Sequence, residues 1–103
     1  MDHTFTIRAV AFQEGSMWVV QGIEYDIVAH AADPSGVPAA FLRAVVENAC
    51  ITEHLGRKPL QGIKPAPERF AEMYEEAVTE VRPVAKGLPQ ELPIREVEIR
   101  LHS

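Results

Sequence analysis

The chain has 103 residues, of which 47% are hydrophobic and 24% are charged, and its net charge is −5 at pH 7. This length suits one domain, which buries about 65% of the surface that the unfolded chain exposes, so association with another chain would add useful stability. The acidic balance excludes a domain that simply coats nucleic acid, because such domains need clustered Lys and Arg.

Cys50 is the only cysteine, so no intramolecular disulfide can form, and this usage favours a reducing compartment. The first residues, MDHTFTIRA, lack the basic and then apolar pattern of a signal sequence. No run approaches the ~20 apolar residues of a membrane helix. We therefore expect a cytoplasmic protein with no membrane association, one domain over residues 1–103, and no cofactor.

Three strands are predicted before the first helix. Residues 4–12 alternate between two faces, and residues 13–16 contain a glycine and suit a hairpin turn. A second strand over 17–21 ends at Gly22, which marks a bulge or bend, and a third strand covers 24–31. The short connections predict an antiparallel meander.

Two helices and a last strand follow the meander. Asp33 or Ser35 can cap a helix that runs to about Leu55. Its core-facing stripe is predicted to be Leu42, Val45, Val46, Ala49 and Thr52, with Phe41 at the edge. A second helix is predicted from about Pro67 to Val81, with Pro83 as its stop.

Residues 94–101 alternate and predict a strand with one solvated face. This strand must join the first three or pair with a second chain, because an isolated strand is not stable. The predicted fold class is therefore α+β: a three-stranded antiparallel meander, a helix, a second helix and a C-terminal strand.

Two groups of residues are candidates for chemistry. Glu24, Asp26 and His30 share one face of the predicted third strand and could serve acid–base catalysis, although the solvent face of a sheet commonly carries such residues. Cys50 and His54 lie four residues apart on the first helix, but no CxxC pair or second histidine at a suitable spacing accompanies them. We therefore expect neither a catalytic site nor a metal site.

The remaining features of the sequence favour a protein–protein interface. Apolar side chains of the first two strands are predicted to form a patch for self-association: Val10, Phe12, Trp18 and Val20. The other interpretation of this patch is that the second helix covers it. Three carboxylates give the second helix an acidic side, which is either merely solvated or meets a basic partner: Glu72, Glu75 and Glu76.

Three segments resemble the HicB-like family, the antitoxin side of HicAB toxin–antitoxin modules: EGSMWVVQ, EYDIVAHA and PAAFLRAVVENA. The resemblance covers residues 4–56, and residues 57–103 form an extension. It implies a partial RNase H-like or double-stranded-RNA-binding-like fold without catalytic carboxylates. The function it implies is protein binding, in which a small basic RNase toxin of the HicA type is masked.

The resemblance also implies dimers or higher oligomers, so we expect a homo-oligomer (dimer or tetramer). Residues 57–103 do not resemble the DNA-binding segments that many family members carry, and nucleic-acid binding is not expected. Two alternatives stay open on the residues alone. One is a small hydrolase or nuclease that uses Glu24, Asp26 and His30, and the other is weak RNA binding through Arg57, Lys58 and Lys64.

Overall fold

The computed structural model describes residues 5–81 and 94–102. They form an α+β fold with a mixed five-stranded sheet and two helices. The strands are β1 (Phe5–Glu14), β2 (Met17–Gly22), β3 (Val28–Ala31), β4 (Thr79–Val81) and β5 (Ile94–His102), and the helices are α1 (Val37–His54) and α2 (Glu68–Glu76). Neither helix of these described ranges is long and apolar enough to cross a membrane.

The first three strands form the predicted antiparallel meander. β1 and β2 are joined by a two-residue turn in which Gly15 has a φ of 64°, a left-handed conformation that glycine adopts without strain. The register of this hairpin pairs Glu14 with Met17 and Ala9 with Gly22. β1 therefore extends two residues past the predicted end at residue 12.

The third strand is shorter than the predicted range of 24–31, since β3 begins only at Val28. The bend before it is closed by a hydrogen bond of 2.8 Å from the amide of Gly22 to the carbonyl oxygen of Ile27. The predicted break at Gly22 is confirmed. The strand prediction was wrong before Val28, because the chain turns there to bury Ile27 instead of extending the ladder.

α1 follows a short 3₁₀ turn, and the side chain of Asp33 accepts a hydrogen bond of 3.1 Å from the amide of Gly36. Asp33 is therefore the N-cap of the 3₁₀ turn and not of α1, whose own N-cap is Gly36 without a side-chain cap hydrogen bond, so the predicted cap acts one short element earlier than expected. The residues of α1 that are buried are Val37, Phe41, Val45, Ala49 and Thr52. Phe41 is completely buried at the centre of this face, whereas Leu42 and Val46 are only half-buried. The predicted stripe was therefore right at Val45, Ala49 and Thr52 and wrong at Leu42 and Val46, because the buried face of the helix is centred on Phe41 and not at its edge.

The loop after α1 folds back on the helix. Gly56 ends the helix with a φ of 79°. The hydroxyl of Thr52 donates to the carbonyl oxygen of Ala49 at 2.9 Å and accepts from the amide of Leu60 at 2.8 Å. Leu60 is 1% exposed and Ile63 packs against the same core, so the loop is anchored by apolar contacts as well.

α2 is shorter than the predicted helix, which was expected to reach Val81. It ends at Glu76, and Ala77 has an extended backbone with a ψ of 137°. Three of the four residues that follow, Val78, Thr79 and Val81, are β-branched, and Thr79–Val81 form β4, which pairs with β5. A helical prediction over 77–81 was therefore wrong, and Pro83 lies outside the described residues.

The strands lie in the order β3-β2-β1-β5-β4. β5 is parallel to β1, with Ile7 opposite Val97 and Phe12 opposite His102, whereas all other neighbours are antiparallel. The C-terminal strand thus pairs within its own chain. A parallel neighbour needs a long crossover, and the segment that contains α1 and α2 provides it.

The sheet is covered on both faces. On one face, alternate residues of β1 and residues of the neighbouring strands pack against Phe41 and Val45 of α1: Ile7, Ala9, Ala11, Val20, Val97 and Ile99. On the other face, Val10 and Ile23 pack against Phe70 and Tyr74 of α2, with Phe12 at the margin. This two-sided burial explains why β1 carries the apolar residues Val10 and Phe12 on the face opposite Ile7, Ala9 and Ala11.

Candidate functional site

A groove lies at the end of the sheet where β1 ends, β2 begins and β5 ends. It consists of two open cavities of about 260 and 610 Å³, and both have Trp18 and His102 in their walls. We call it the Trp18 groove, and its lining is Phe12, Gln13, Trp18, Met73, Glu76, Ala77, Val78, Thr79, Leu101 and His102. Strand ends, the end of α2 and the turn into β4 therefore meet at one place.

The register of the sheet brings these side chains together. The hairpin pairs Trp18 with Gln13 near its turn, and the parallel pairing of β1 with β5 puts His102 opposite Phe12. Trp18 stays half-exposed because it lies at the sheet end, although its ring also contacts the core under α1. An indole in this position offers apolar area and one N–H donor to a ligand.

The rim of the groove is polar and acidic. Glu76 Oε2 lies 3.3 Å from Nε2 of His102, a contact that becomes an ion pair only when the imidazole is protonated. The side chain of Glu76 is 70% exposed. Glu72 lies one turn earlier on α2 and is also exposed. Because residues four apart share a helix face, these two carboxylates point to the same side of α2.

The turn that follows α2 adds exposed apolar surface to the acidic rim. Val78 is 93% exposed, more than any other large hydrophobic residue in the described ranges. It lies beside Ala77, which is buried where the chain leaves the helix. The groove thus combines an apolar floor with the carboxylate of Glu76 at its edge. Such a surface suits a Lys or Arg side chain, whose stem is apolar and whose head is cationic.

Tyr74 holds α2 in position beside the groove. Its ring lies between two guanidinium groups, with Cζ of Arg8 at 5.4 Å and Cζ of Arg100 at 4.2 Å from the ring centroid. Its hydroxyl donates to Oε2 of Glu98 at 3.2 Å, and Nη1 of Arg100 donates to the carbonyl oxygen of Tyr74 at 3.1 Å. Burial raises the pKa of Tyr74. These contacts fix the helix against β1 and β5.

Arg8 is itself held by carboxylates. Its Nε donates to Oε2 of Glu24 at 2.6 Å and its backbone amide donates to Oε1 of Glu24 at 2.7 Å. The hydrogen bond that Arg8 donates to Glu24 raises the pKa of Arg8. Nη1 of Arg8 also lies 3.8 Å from Oε1 of Glu75. Glu75 therefore faces the sheet side of α2 and not the groove.

The apolar patch predicted for self-association does not form. The register of β1 and β2 puts Val10 and Phe12 on the face covered by α2, and Trp18 and Val20 on the face covered by α1. Val10 and Val20 are completely buried, and the rings of Phe12 and Phe70 stack at 6.0 Å. The grouping was wrong because residues 10 and 20 point to opposite sides of the sheet. The other interpretation, that the second helix covers this face, holds for Val10 and Phe12.

Three of the seven predicted interface residues line the Trp18 groove, namely Phe12, Trp18 and Glu76. Glu72 lies on the same side of α2 as Glu76. Sequence reasoning missed Met73, Val78 and His102. Val78 had a signal in the sequence, because a β-branched pair directly after an acidic helix indicates a change to extended backbone.

The residues considered for acid–base catalysis have structural partners. Glu24 binds Arg8, and Oδ1 of Asp26 accepts a hydrogen bond of 2.8 Å from Nε2 of Gln21. Both precede β3, and His30 lies exposed on that edge strand. The two carboxylates thus stabilise the bend between β2 and β3.

The residues considered for metal binding lie at the C-terminal end of α1. Cys50 and His54 are exposed and line a shallow apolar depression together with Ile51 and Leu55. Within the part of the chain that the structure describes, no three His, Cys, Asp or Glu side chains are grouped so that they could hold a metal ion.

Comparison of the chain with models of known families, with curated proteins and with solved structures finds no match. The geometry alone defines the class of site: an open groove with an apolar floor and an acidic rim, on a fold whose sheet is covered on both faces.

Proposed function

We propose that this chain is a non-enzymatic protein-binding module of the HicB-like type, which acts in the cytoplasm and masks a small basic RNase toxin of the HicA type. The observation that carries the proposal is the juxtaposition of the half-exposed Trp18 with Glu76 on the rim of one groove. Exposed aromatic side chains inside a polar rim are the usual anchors of a protein interface.

The order of elements supports the resemblance to the HicB-like family. The meander β1–β2–β3 followed by α1 is the part of the fold that residues 4–56 lead us to expect. The carboxylates near the meander bind Arg8 and Gln21, which suits a fold of this kind that has no catalytic role. An RNase H-like arrangement without catalysis is the finer fold that we propose.

Charge supports a basic partner. The chain carries a net charge of −5, and the exposed side of α2 carries Glu72 and Glu76 next to the Trp18 groove. Carboxylates on a rim mainly accelerate association and select partners of opposite charge, whereas the apolar floor supplies affinity. A Lys or Arg of the toxin would enter the groove with its stem on Trp18 and its head near Glu76.

The proposal is tested by titrating the chain into a purified toxin of the HicA type while RNA cleavage is followed. Trp18 is the only tryptophan, so its fluorescence reports directly whether the groove is occupied. We expect inhibition of cleavage together with a change of Trp18 emission. E72K combined with E76K should weaken binding about 10- to 100-fold and flatten its dependence on salt.

E53K is the matched control for each of the single variants E72K and E76K, because Glu53 is an exposed carboxylate of α1 outside the groove and each of these replacements changes the net charge by two units. It should leave inhibition within about twofold of the original. The proposal fails if the chain neither inhibits nor binds the toxin, or if E53K weakens binding as much as the variant on α2 does.

A further inference from the structure

α1 carries a second apolar stripe on the side away from the sheet. While its inner residues pack on the sheet, four apolar side chains stay half-buried or exposed: Ala39, Leu42, Val46 and Cys50. We call them the outer stripe. Most of the stripe lines a depression of about 340 Å³ together with Arg43 and Glu47. The exposed Ile51, with 58% of its surface free, extends the apolar area beyond Cys50.

We propose that two copies of this chain form a two-fold symmetric dimer by packing their outer stripes against each other in antiparallel orientation. The spacing of the stripe fits this arrangement. Its members follow one another after three, four and four residues, which is the repeat of a seam between two helices. In the antiparallel pair, Ala39 of one copy lies beside Cys50 of the other, and Leu42 lies beside Val46.

Charge selects the second copy as the occupant. Arg43 and Glu47 lie on one flank of the stripe, one turn apart, and neither forms an ion pair within the described residues 5–81 and 94–102. In an antiparallel pair related by a two-fold axis, a given flank of one helix lies against the same flank of the other helix, and the two run in opposite directions. Arg43 of each copy therefore faces Glu47 of the other, and two ion pairs form.

The same two charges favour the antiparallel arrangement over a parallel one. In a parallel two-fold pair, the flank that carries Arg43 and Glu47 would face the opposite flank of the second copy, so these two residues could not pair with each other across the axis. The stripe is short, about 16 Å from Ala39 to Cys50 at the helical rise, so the interface belongs to the small and reversible class. We expect a dissociation constant in the micromolar range or weaker.

This surface is distinct from the Trp18 groove, since it lies on α1 and shares no residue with the groove lining. The dimer can therefore form whether or not the groove binds a toxin. It also replaces the apolar sheet patch as the surface for self-association, because that patch is divided between two covered faces.

Cross-linking tests the register. A39C puts a cysteine beside the native Cys50 of the second copy, and mild oxidation should give a covalent dimer with two symmetric disulfides. The native chain is one control, because the two Cys50 residues lie about 16 Å apart along the antiparallel pair. A39C combined with C50S is the other control, and neither control should cross-link.

Charge exchange tests the contact between Arg43 and Glu47. In sedimentation equilibrium, R43E alone and E47R alone should each weaken the dimer about tenfold, because each substitution opposes like charges twice. The double variant R43E/E47R restores opposite charges across the axis, and its dissociation constant should return to within about threefold of the original.

Three results would overturn the proposal. One is a chain that remains monomeric at concentrations up to about 1 mM. Another is a dimer whose stability the single charge variants leave unchanged, which would place the interface elsewhere. The third is cross-linking of the native chain through its two Cys50 residues, which requires parallel helices. A failure of toxin inhibition with this dimer intact would count against the proposed function only.

Discussion

Gly22 is where a single residue decides the path of the chain. It ends β2, and a Cβ atom at this position would lie 2.7 Å from the carbonyl oxygen of Tyr25 and 3.3 Å from Cζ of Phe41. The bend can close and Phe41 can pack under the sheet only because no side chain is present. The break at Gly22 was predictable from the sequence, whereas the contact with Phe41 was not.

We predict that G22A lowers the free energy of unfolding by about 1–3 kcal/mol, because backbone and a buried ring must both move to admit the methyl group. Denaturant unfolding followed by Trp18 fluorescence measures the change. G36A is the matched control, since its Cβ would meet only ordinary contact at 3.5 Å from Cβ of Ala31 and its φ of −86° suits alanine. Equal destabilisation by both variants would contradict the steric explanation.

Thr52 has a structural role that could not be predicted from the sequence. The stripe of α1 correctly included it as an inward-facing position. Its function in the structure is to satisfy the buried amide of Leu60 through its hydroxyl. That amide belongs to a loop eight residues later, and Leu60 has a φ of 66°, which a non-glycine residue adopts only when its surroundings hold it there.

α2 shows how tertiary contacts fix the limits of an element. Its apolar spacing alone is compatible with a helix to Val81, but the chain leaves the helix at Ala77. β4 gains hydrogen bonds with β5, and these replace the last turn of the predicted helix. The consequence is functional as well as structural, because this change of backbone exposes Val78 and opens the Trp18 groove.

The docking of α2 should weaken at alkaline pH. Burial raises the pKa of Tyr74 above its ordinary value of 10.0, so the neutral phenol is favoured in the folded state. The stabilisation is complete below pH 10 and is lost as the pH rises through the pKa of the folded state. Ionisation would also oppose the tyrosinate to the carboxylate of Glu98, which the neutral hydroxyl contacts.

We therefore expect the free energy of unfolding to fall between pH 8 and pH 11, and to fall less in Y74F than in the original chain. Urea unfolding at the two pH values provides the measurement. Y25F is the comparison, because burial also raises the pKa of Tyr25, whose ring packs against the core under α1. An alkaline loss that is identical in Y74F and the original chain would exclude the contribution of Tyr74.

The whole molecule depends on β5, an interior strand of the sheet that comes last in the chain. It lies between β1 and β4 and carries Ile99, which is completely buried under α1. Its parallel pairing with β1 joins residues that are about ninety positions apart in sequence, as the partners Ile7 and Val97 show. Contacts of this separation close a large loop and make folding slow relative to local structure.

We predict that I99A lowers the free energy of unfolding by about 2–5 kcal/mol, a large part of the ~5–15 kcal/mol that a domain possesses. Calorimetry or denaturant unfolding measures it. V78A is the control on exposed surface and should change stability by less than about 0.5 kcal/mol. A small effect of I99A would mean that β5 does not insert between β1 and β4.

The sequence by itself determined the structural features that depend only on residues close to one another along the chain. The alternation of β1, the turn at Gly15, the break at Gly22, the cap at Asp33 and the stop at Gly56 are local matters of side-chain period and backbone freedom, and they predict the meander and α1. The acidic side of α2 was likewise recognisable from the sequence, and the structure leaves Glu72 and Glu76 exposed and Trp18 half-exposed.

Only the tertiary structure decided how these elements combine. Which face of each strand is covered, where β5 inserts, and which residues meet at the Trp18 groove depend on register between distant segments, and a shift of one residue reverses every side chain of a strand. Val10 and Val20 were predicted to share a patch, but they lie on opposite faces of the sheet. The outer stripe of α1 consists of the apolar residues that the core leaves partly or fully uncovered.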